Sequence, residues 1–320
     1  MSIISRALLE KQNAETSNAL IEFWKDSDKF LALAKSEGDL TIQRDQEDAV
    51  KLEKGIEFAK SKGVIDPNYV PEPYVKLDVL GKTPATVADD ILGKIKSSGG
   101  GKDEGSVIVL CGLSGTGKGT TVAQVRQKLE ADEGKKVVTW SNGNVFRSVT
   151  LLAVTWCEQQ ADIDGFDKEK ALTKENLQSF IEMLSFGKFD GKYDTRINGL
   201  GLDMLVSKVQ NTELKSPKVS KNIPTVAEVT QGEVILFAAD AVDTMGKDGI
   251  FVLLEGREQT VNYVRTPHRF TLILSDESLI GKRRAAQRLM AEALTALGDS
   301  SSDADVAKAL EDSLAKLTSE

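Results

Sequence analysis

Val107-Ile108-Val109-Leu110-Cys111-Gly112-Leu113-Ser114-Gly115-Thr116-Gly117-Lys118-Gly119-Thr120-Thr121 is the stretch whose reading decides the fold. A short β-branched apolar run leads into a glycine-rich turn, and the turn opens a helix. This is the setting in which a phosphate-binding loop forms. Glycines let the backbone curl until successive N–H groups face inward at phosphate oxygens, and the helix N-terminus adds its positive dipole end. The spacing puts Lys118 within reach of the outer phosphates. Thr120 offers a hydroxyl to magnesium, directly or through water.

Composition narrows the field around this loop. With 320 residues, 40% of them hydrophobic, the chain can bury the core of one large domain or two modest ones. A formal net charge of −8 argues against nucleic acid or an anionic membrane as the main partner. Local basic clusters remain free to bind small phosphorylated ligands. Two cysteines, Cys111 in a predicted buried strand and Cys157 in a predicted helix, supply neither a disulfide framework nor a metal set. They fit a reducing compartment, the cytoplasm or an organelle lumen. The single histidine, His268, precedes a predicted strand and reads as a surface residue. No apolar run reaches the length of a membrane span, and Met1 to Trp24 does not read as a secretory signal.

Either side of the loop, hydrophobic periodicity sets out the remaining elements. Residues 3 to 36 have helical spacing and read as one or two amphipathic helices packed on the body, with a protein partner for them left open. Glu37-Gly38-Asp39 is expected to break that pattern, so 1–40 is taken as an N-terminal extension. A second helix is expected from about Leu40 to Lys62, carrying Arg44-Asp45-Gln46-Glu47-Asp48-Ala49-Val50-Lys51, by default a solvated face. Tyr74–Leu80 alternates like a strand, and Thr83-Pro84 opens a helix to Lys96. Ser97-Ser98-Gly99-Gly100-Gly101-Lys102 marks a linker, drawn at 97–106.

Beyond the loop, strands are expected at Val137–Trp140, Ile250–Leu254 and Arg269–Leu274. Helices are expected through Cys157, near 174–186, from Thr225 to Met245, from Glu277 onward, and after a Ser/Asp-rich loop at 298–305. A hairpin-like piece spans Phe186 to Arg196. Strands alternating with helices predict an α/β fold built on a doubly wound parallel sheet of five strands around the P-loop. Ligands in such sheets gather at the carboxyl ends of the strands. Those ends carry Gly112–Thr120, Ser141–Arg147 and Glu255–Arg257, three polar clusters from separate segments.

On these residues the sequence resembles the nucleoside monophosphate kinases, and within them cytidylate kinase. Gly112-Leu113-Ser114-Gly115-Thr116-Gly117-Lys118-Gly119-Thr120 is similar to that family's G-x-S-G-x-G-K-G-T. Ser141 to Arg147 resembles its acceptor segment with one residue inserted, and Phe189–Thr195 the hairpin of its small acceptor-binding insert, placed here at about 160–246. Glu255-Gly256-Arg257-Glu258 stands where the family has D-G-R-D. The family's lid pattern R-D-x-x-D-x-x-R, its last strand and its last helix are matched ahead of the loop, by Arg44–Lys51, Tyr74–Leu80 and Pro84–Lys96. The resemblance therefore implies a circular permutation: 41–96 hold the family's C-terminal part, and 107–320 hold the core. A strand at 74–80 must then lie beside the strand at 269–274.

The same resemblance implies Mg-ATP as donor, on the loop residues Gly112, Ser114, Gly115, Thr116, Gly117, Lys118, Gly119 and Thr120, with Thr120 toward the metal. It implies a CMP- or dCMP-like acceptor or another small phosphorylated substrate, held by Ser141, Gly143, Arg147, Glu255, Arg257 and Asp48. Lys118, Arg147, Arg257, Arg44 and Lys51 would supply the positive charge, the last two from a lid that excludes water. The sequence departs from the family in three places. Lys51 replaces an arginine, Glu255 replaces an aspartate, and no arginine occurs between Arg196 and Arg257. Two functions fit these residues: an ATP-dependent kinase, and a catalytically weakened nucleotide-binding subunit with a regulatory or assembly role.

Overall fold

The computed structural model describes residues 4–12, 14–97, 105–131, 133–298 and 301–319. The linker expected at 97–106 lies largely outside them, as do residues 299 and 300 of the Ser/Asp-rich loop. In chain order the helices before the sheet core are α1 (Arg6–Glu10), α2 (Ala14–Phe23) and α3 (Asp28–Ser61). Then come β1 (Val75–Asp78), α4 (Pro84–Ser97), β2 (Ser106–Gly112), α5 (Lys118–Ala131), β3 (Val137–Trp140) and α6 (Asn142–Glu158). A smaller region follows, with α7 (Lys168–Ala171), α8 (Lys174–Glu182), β4 (Leu184–Phe189), β5 (Lys192–Gly199), β6 (Leu202–Leu205) and α9 (Val206–Val209). The chain continues through α10 (Pro217–Lys247), β7 (Phe251–Glu255), α11 (Glu258–Val261), β8 (Arg269–Ile273), α12 (Ser278–Ala296) and α13 (Asp303–Leu317).

Five strands form one parallel sheet in the order β1-β8-β2-β7-β3. Alternation along the central strands sends side chains to opposite faces. Ile108 and Leu110 of β2 pack with Val87, Ile91 and Ile95 of α4 and Val122, Val125 and Leu129 of α5. Val109 and Cys111 pack the other way, against Val242 and Met245 of α10 and Val261. Helices thus cover both faces, which is why the strands read as continuous apolar runs. The early strand β1 lies parallel beside β8, with Val75 opposite Phe270 and Asp78 opposite Ile273. Tyr74 anchors it further, since the fully buried Arg269 donates to its hydroxyl and to the carbonyls of Val264 and Val261.

Several sequence expectations need correction. Glu37-Gly38-Asp39 does not end a helix. α3 runs unbroken for 34 residues, and the boundary drawn at 40 falls inside it. Gly38 is there because α3 crosses α12 almost backbone to backbone. A Cβ built on Gly281 would come 2.0 Å from the Ala34 carbonyl oxygen, and one on Gly38 would come 3.3 Å from the Gly281 Cα. The helix expected from Thr225 begins eight residues earlier, with Pro217 in its first turn, and continues through Pro224. Val219 and Val226, both fully buried, hold the segments on each side of that proline. The helix expected to 186 stops at Glu182, and Leu184–Phe189 pairs with β5 around the turn Asp190-Gly191, both with positive φ. His268 is buried rather than exposed: its carbonyl accepts from Val109 N, so the strand geometry of β8 reaches back to it, and burial pushes its imidazole pKa down.

The N-terminal helices belong to a helical layer beside the sheet. Leu9, Leu20, Trp24, Phe30 and Leu33 share one buried cluster with Ala285, Leu289 and Ala293 of α12 and Val306 and Leu310 of α13. Among the described residues no helix is long and apolar enough to cross a membrane. The close crossing generates a stability prediction. Gly281→Ala forces α3 and α12 apart and should cost about 1–3 kcal/mol, read as a lower urea midpoint at unchanged slope. An unchanged midpoint would contradict the backbone-to-backbone crossing.

Candidate functional site

The strand order brings the three polar clusters to one edge. β2 ends in the glycine-rich loop, its neighbour β7 ends in Glu255–Arg257, and β3, the next strand out, ends in Ser141–Arg147. Strands lie about 4.8 Å apart, so the Ser141 segment stands about 10 Å from the loop. Within the loop Gly115 and Gly117 have φ of +83° and +85°, a conformation that disfavours any side chain. The turn delivers Lys118 as the first residue of α5. Its Nζ donates to the carbonyls of Gly112 and Leu113 at 2.8 and 2.9 Å. Burial, and then the Arg257 guanidinium, lower its pKa, partly opposed by Glu255 and Asp45. Thr116 Oγ1 donates to Leu113 O and Thr120 Oγ1 to Gly117 O, each closing the turn on itself.

A carboxylate holds the outer side of this loop. Asp45, 7% exposed on α3, accepts from Ser114 N at 2.6 Å, from Ser114 Oγ at 2.7 Å and from Arg257 Nη2 at 2.6 Å. Arg257 also reaches Ser114 Oγ at 3.2 Å and approaches Asp48 at 3.8 Å. Burial by itself would raise the Asp45 pKa. The hydrogen bonds from Arg257 and Ser114, with the guanidinium charge, outweigh it and hold the carboxyl below the usual aspartate range. On the opposite side Arg283 of α12 donates to Gly115 O at 2.8 Å, its own pKa lowered by burial. Glu255 lies nearby, its Oε2 3.7 Å from where a Cβ on Gly119 would stand.

A cleft of about 890 Å³ opens over the loop, lined by Lys118, Thr120, Glu255, Arg283 and Arg284 and reaching Pro84 at the start of α4. Ser141, Gly143 and Arg147 belong to the N-terminal end of α6. Arg147 Nη1 donates to Asn144 Oδ1 at 3.3 Å and makes no hydrogen bond to the loop. A separate cavity of about 200 Å³ lies between that end and the small sheet; in its wall Tyr193 stacks on Phe186 and Trp140 meets Phe186 edge-on.

The lid expectation changes. Arg44–Lys51 is the middle of a long packed helix, and Arg44 and Lys51 are exposed without a bond to the loop. One residue turns an α-helix by about 100°, so Arg44 points away from the face Asp45 presents. Asp45 and Arg283 were missing from the candidate residues. Asp45 falls in register with the buried stripe Thr41, Ile56 and Ala59, and a carboxylate in that phase is the signal that could have found it. Arg283 had no such signal, being one cation in the run Lys282-Arg283-Arg284.

As for a metal, no group of three or more ligating side chains exists among the described residues. Thr120 and Glu255 are the side-chain oxygen donors beside Lys118 in the cleft that could hold a cation. Comparison of the chain with known families, with curated proteins and with solved structures gives no match.

Asp45→Ala should destabilise the protein by about 2 kcal/mol at pH 7, since charge-assisted hydrogen bonds from two segments are lost. The folded pKa of Asp45 is depressed, so its stabilisation is complete above the ordinary aspartate value of about 3.9 and fades as pH falls through the folded value. The gap between wild type and variant, measured by denaturant unfolding, should therefore close on acidification. A gap that stays constant to pH 2 would refute the charged latch.

Proposed function

We propose that this protein is an ATP-dependent phosphotransferase of the nucleoside monophosphate kinase kind, circularly permuted, with a CMP- or dCMP-like acceptor. The observation that carries the reading is the meeting of Lys118, Arg257 and Arg283 around a glycine-rich loop at the end of the central parallel strand. Phosphoryl transfer asks of a protein mainly alignment and fixed positive charge. The parallel pairing of β1 with β8 supports the permutation, because that neighbour is supplied from ahead of the loop.

In this reading the loop is a P-loop whose amides cradle the donor phosphates. Lys118 leaves the Gly112 and Leu113 carbonyls to reach the outer phosphates, and its burial strengthens that attraction. Magnesium, when bound, neutralises charge on the donor's outer oxygens. Arg257 and Arg147 orient the acceptor phosphate, whose oxygen attacks the terminal phosphorus in line as the bond to the bridging oxygen breaks and ADP departs. A Cβ on Gly143 would stand 3.0 Å from Arg147 Nη1, so this glycine lets the guanidinium lie against the head of α6, where it and Ser141 would meet that acceptor, and Glu255 would orient it or hold metal-bound water.

A second reading has its own observation. Asp45 engages both Ser114 and Arg257, while Arg44 and Lys51 turn outward, so the acceptor's grip is occupied and the lid charge is absent. A nucleotide-binding subunit with a regulatory or assembly role would tolerate that arrangement.

ADP release from Mg-ATP, tested with CMP, dCMP, UMP, AMP and GMP, separates the two. The kinase reading expects turnover with a cytidine nucleotide that falls at least 100-fold in Lys118→Ala. ATP binding without acceptor-dependent turnover would leave the regulatory subunit standing, and no ATP binding would sink both.

A further inference from the structure

The cleft over the glycine-rich loop extends beyond the loop, and the N-terminal segment lines part of it through Gln12, Ser17 and Asn18. Leu279, Arg283 and Gln287 recur every fourth residue of α12 and line it, spanning about 12 Å at the α-helical rise. Arg283 stands level with the loop through its bond to Gly115 O. Gln287 lies a further turn along, about 6 Å away. Gln12, between α1 and α2, and Asn18 of α2 line the same cleft.

These side chains sit on a fixed support. Leu9 and Leu20 are fully buried against α12, and Thr16 Oγ1 donates to Leu8 O at 2.6 Å, pinning α2 to α1. Gln12 adopts φ +44°, a left-handed conformation uncommon outside glycine, with its N–H bonded to Leu9 O. Gln12, Asn18 and Gln287 are all exposed. Arg284 Nη1 donates to Gln287 Oε1 at 3.1 Å, so the Gln287 NH₂ remains a donor.

Arg283 and Arg284 supply cations beside Gln287, but Gln12 and Asn18 bring none to their side of the cleft, and a phosphate calls for cations or backbone amides. Each carboxamide carries a donor and an acceptor in one plane, which suits the edge of a nucleobase. Val79, Pro84 and Leu279 in the same cleft are apolar and suit its flat faces.

We propose that the N-terminal helices complete the donor site, with Gln12 and Asn18, beside Gln287, reading the base of the nucleotide whose phosphates occupy the glycine-rich loop. The inference rests on the phosphate-binding reading of that loop, and it makes the extension a determinant of nucleotide choice.

The test uses the full chain and two probes, Mg-ATP and inorganic tripolyphosphate with magnesium, titrated by calorimetry into wild type and Gln12→Ala/Asn18→Ala. Both positions are exposed, and an unchanged Tm shows that the fold is kept. The proposal expects the variant to bind Mg-ATP at least fivefold more weakly while tripolyphosphate affinity stays within twofold. Equal affinity for Mg-ATP in the two proteins would overturn the base-reading rim and leave the loop reading intact. Parallel weakening of both probes would also overturn it, showing a general effect on the cleft. Failure of wild type to bind either probe would remove the loop reading and the rim with it.

Discussion

A carboxylate withdrawn from water must find donors, and Asp45 finds them in two segments far apart in sequence. Ser114 offers its N–H and hydroxyl from the loop, and Arg257 its guanidinium from beyond β7. The result ties the long helix α3 to the end of the central strand and to its neighbour at once. Seven residues earlier on the same helix, Gly38 lets α3 lie close over Gly281 of α12. From α12, Arg283 then holds the loop's other side through Gly115. The glycine-rich loop is in this way clasped by the helical layer.

The clasp also frames the chemistry proposed for the site. Lys118 and Arg283 line the cleft over the loop and Arg257 stands on the loop's Asp45 side, so a chain whose net charge is −8 gathers cations locally around this turn. Each cation is satisfied within the chain, Lys118 and Arg283 by loop carbonyls and Arg257 by the Asp45 carboxylate. Binding in the proposed reading is an exchange of such partners, and Asp45 is the one that must yield around Arg257. Two protonation states of Asp45 would make that exchange differ in cost, which links the latch to the ligand.

Much of the sheet was legible because its signals are local. β2 and β7 are apolar runs buried on both faces, β8 alternates with Phe270 and Leu272 in the core, Pro84 marks the first turn of α4, and the glycine spacing fixes the turn after β2. The neighbour relation of β1 and β8 was foreseen through the kinase resemblance rather than from any local signal. What misled was residues whose meaning depends on a distant partner. Gly38 reads as a helix breaker until Gly281 is placed against it, and Pro224 as a boundary until Val219 and Val226 are seen buried around it. Arg44 and Lys51 fit a lid by type, but helical phase turned them outward and brought Asp45 in. Charge invites a surface reading, so the buried stripe through Asp45 was passed over.

Hydrogen–deuterium exchange with and without a non-hydrolysable ATP analogue and magnesium tests the central claim most directly. Backbone amides of Gly115 to Thr120 would become the phosphate's donors, so peptides covering that segment should exchange markedly more slowly in the complex. Exchange there that is unchanged at saturating analogue would contradict the account.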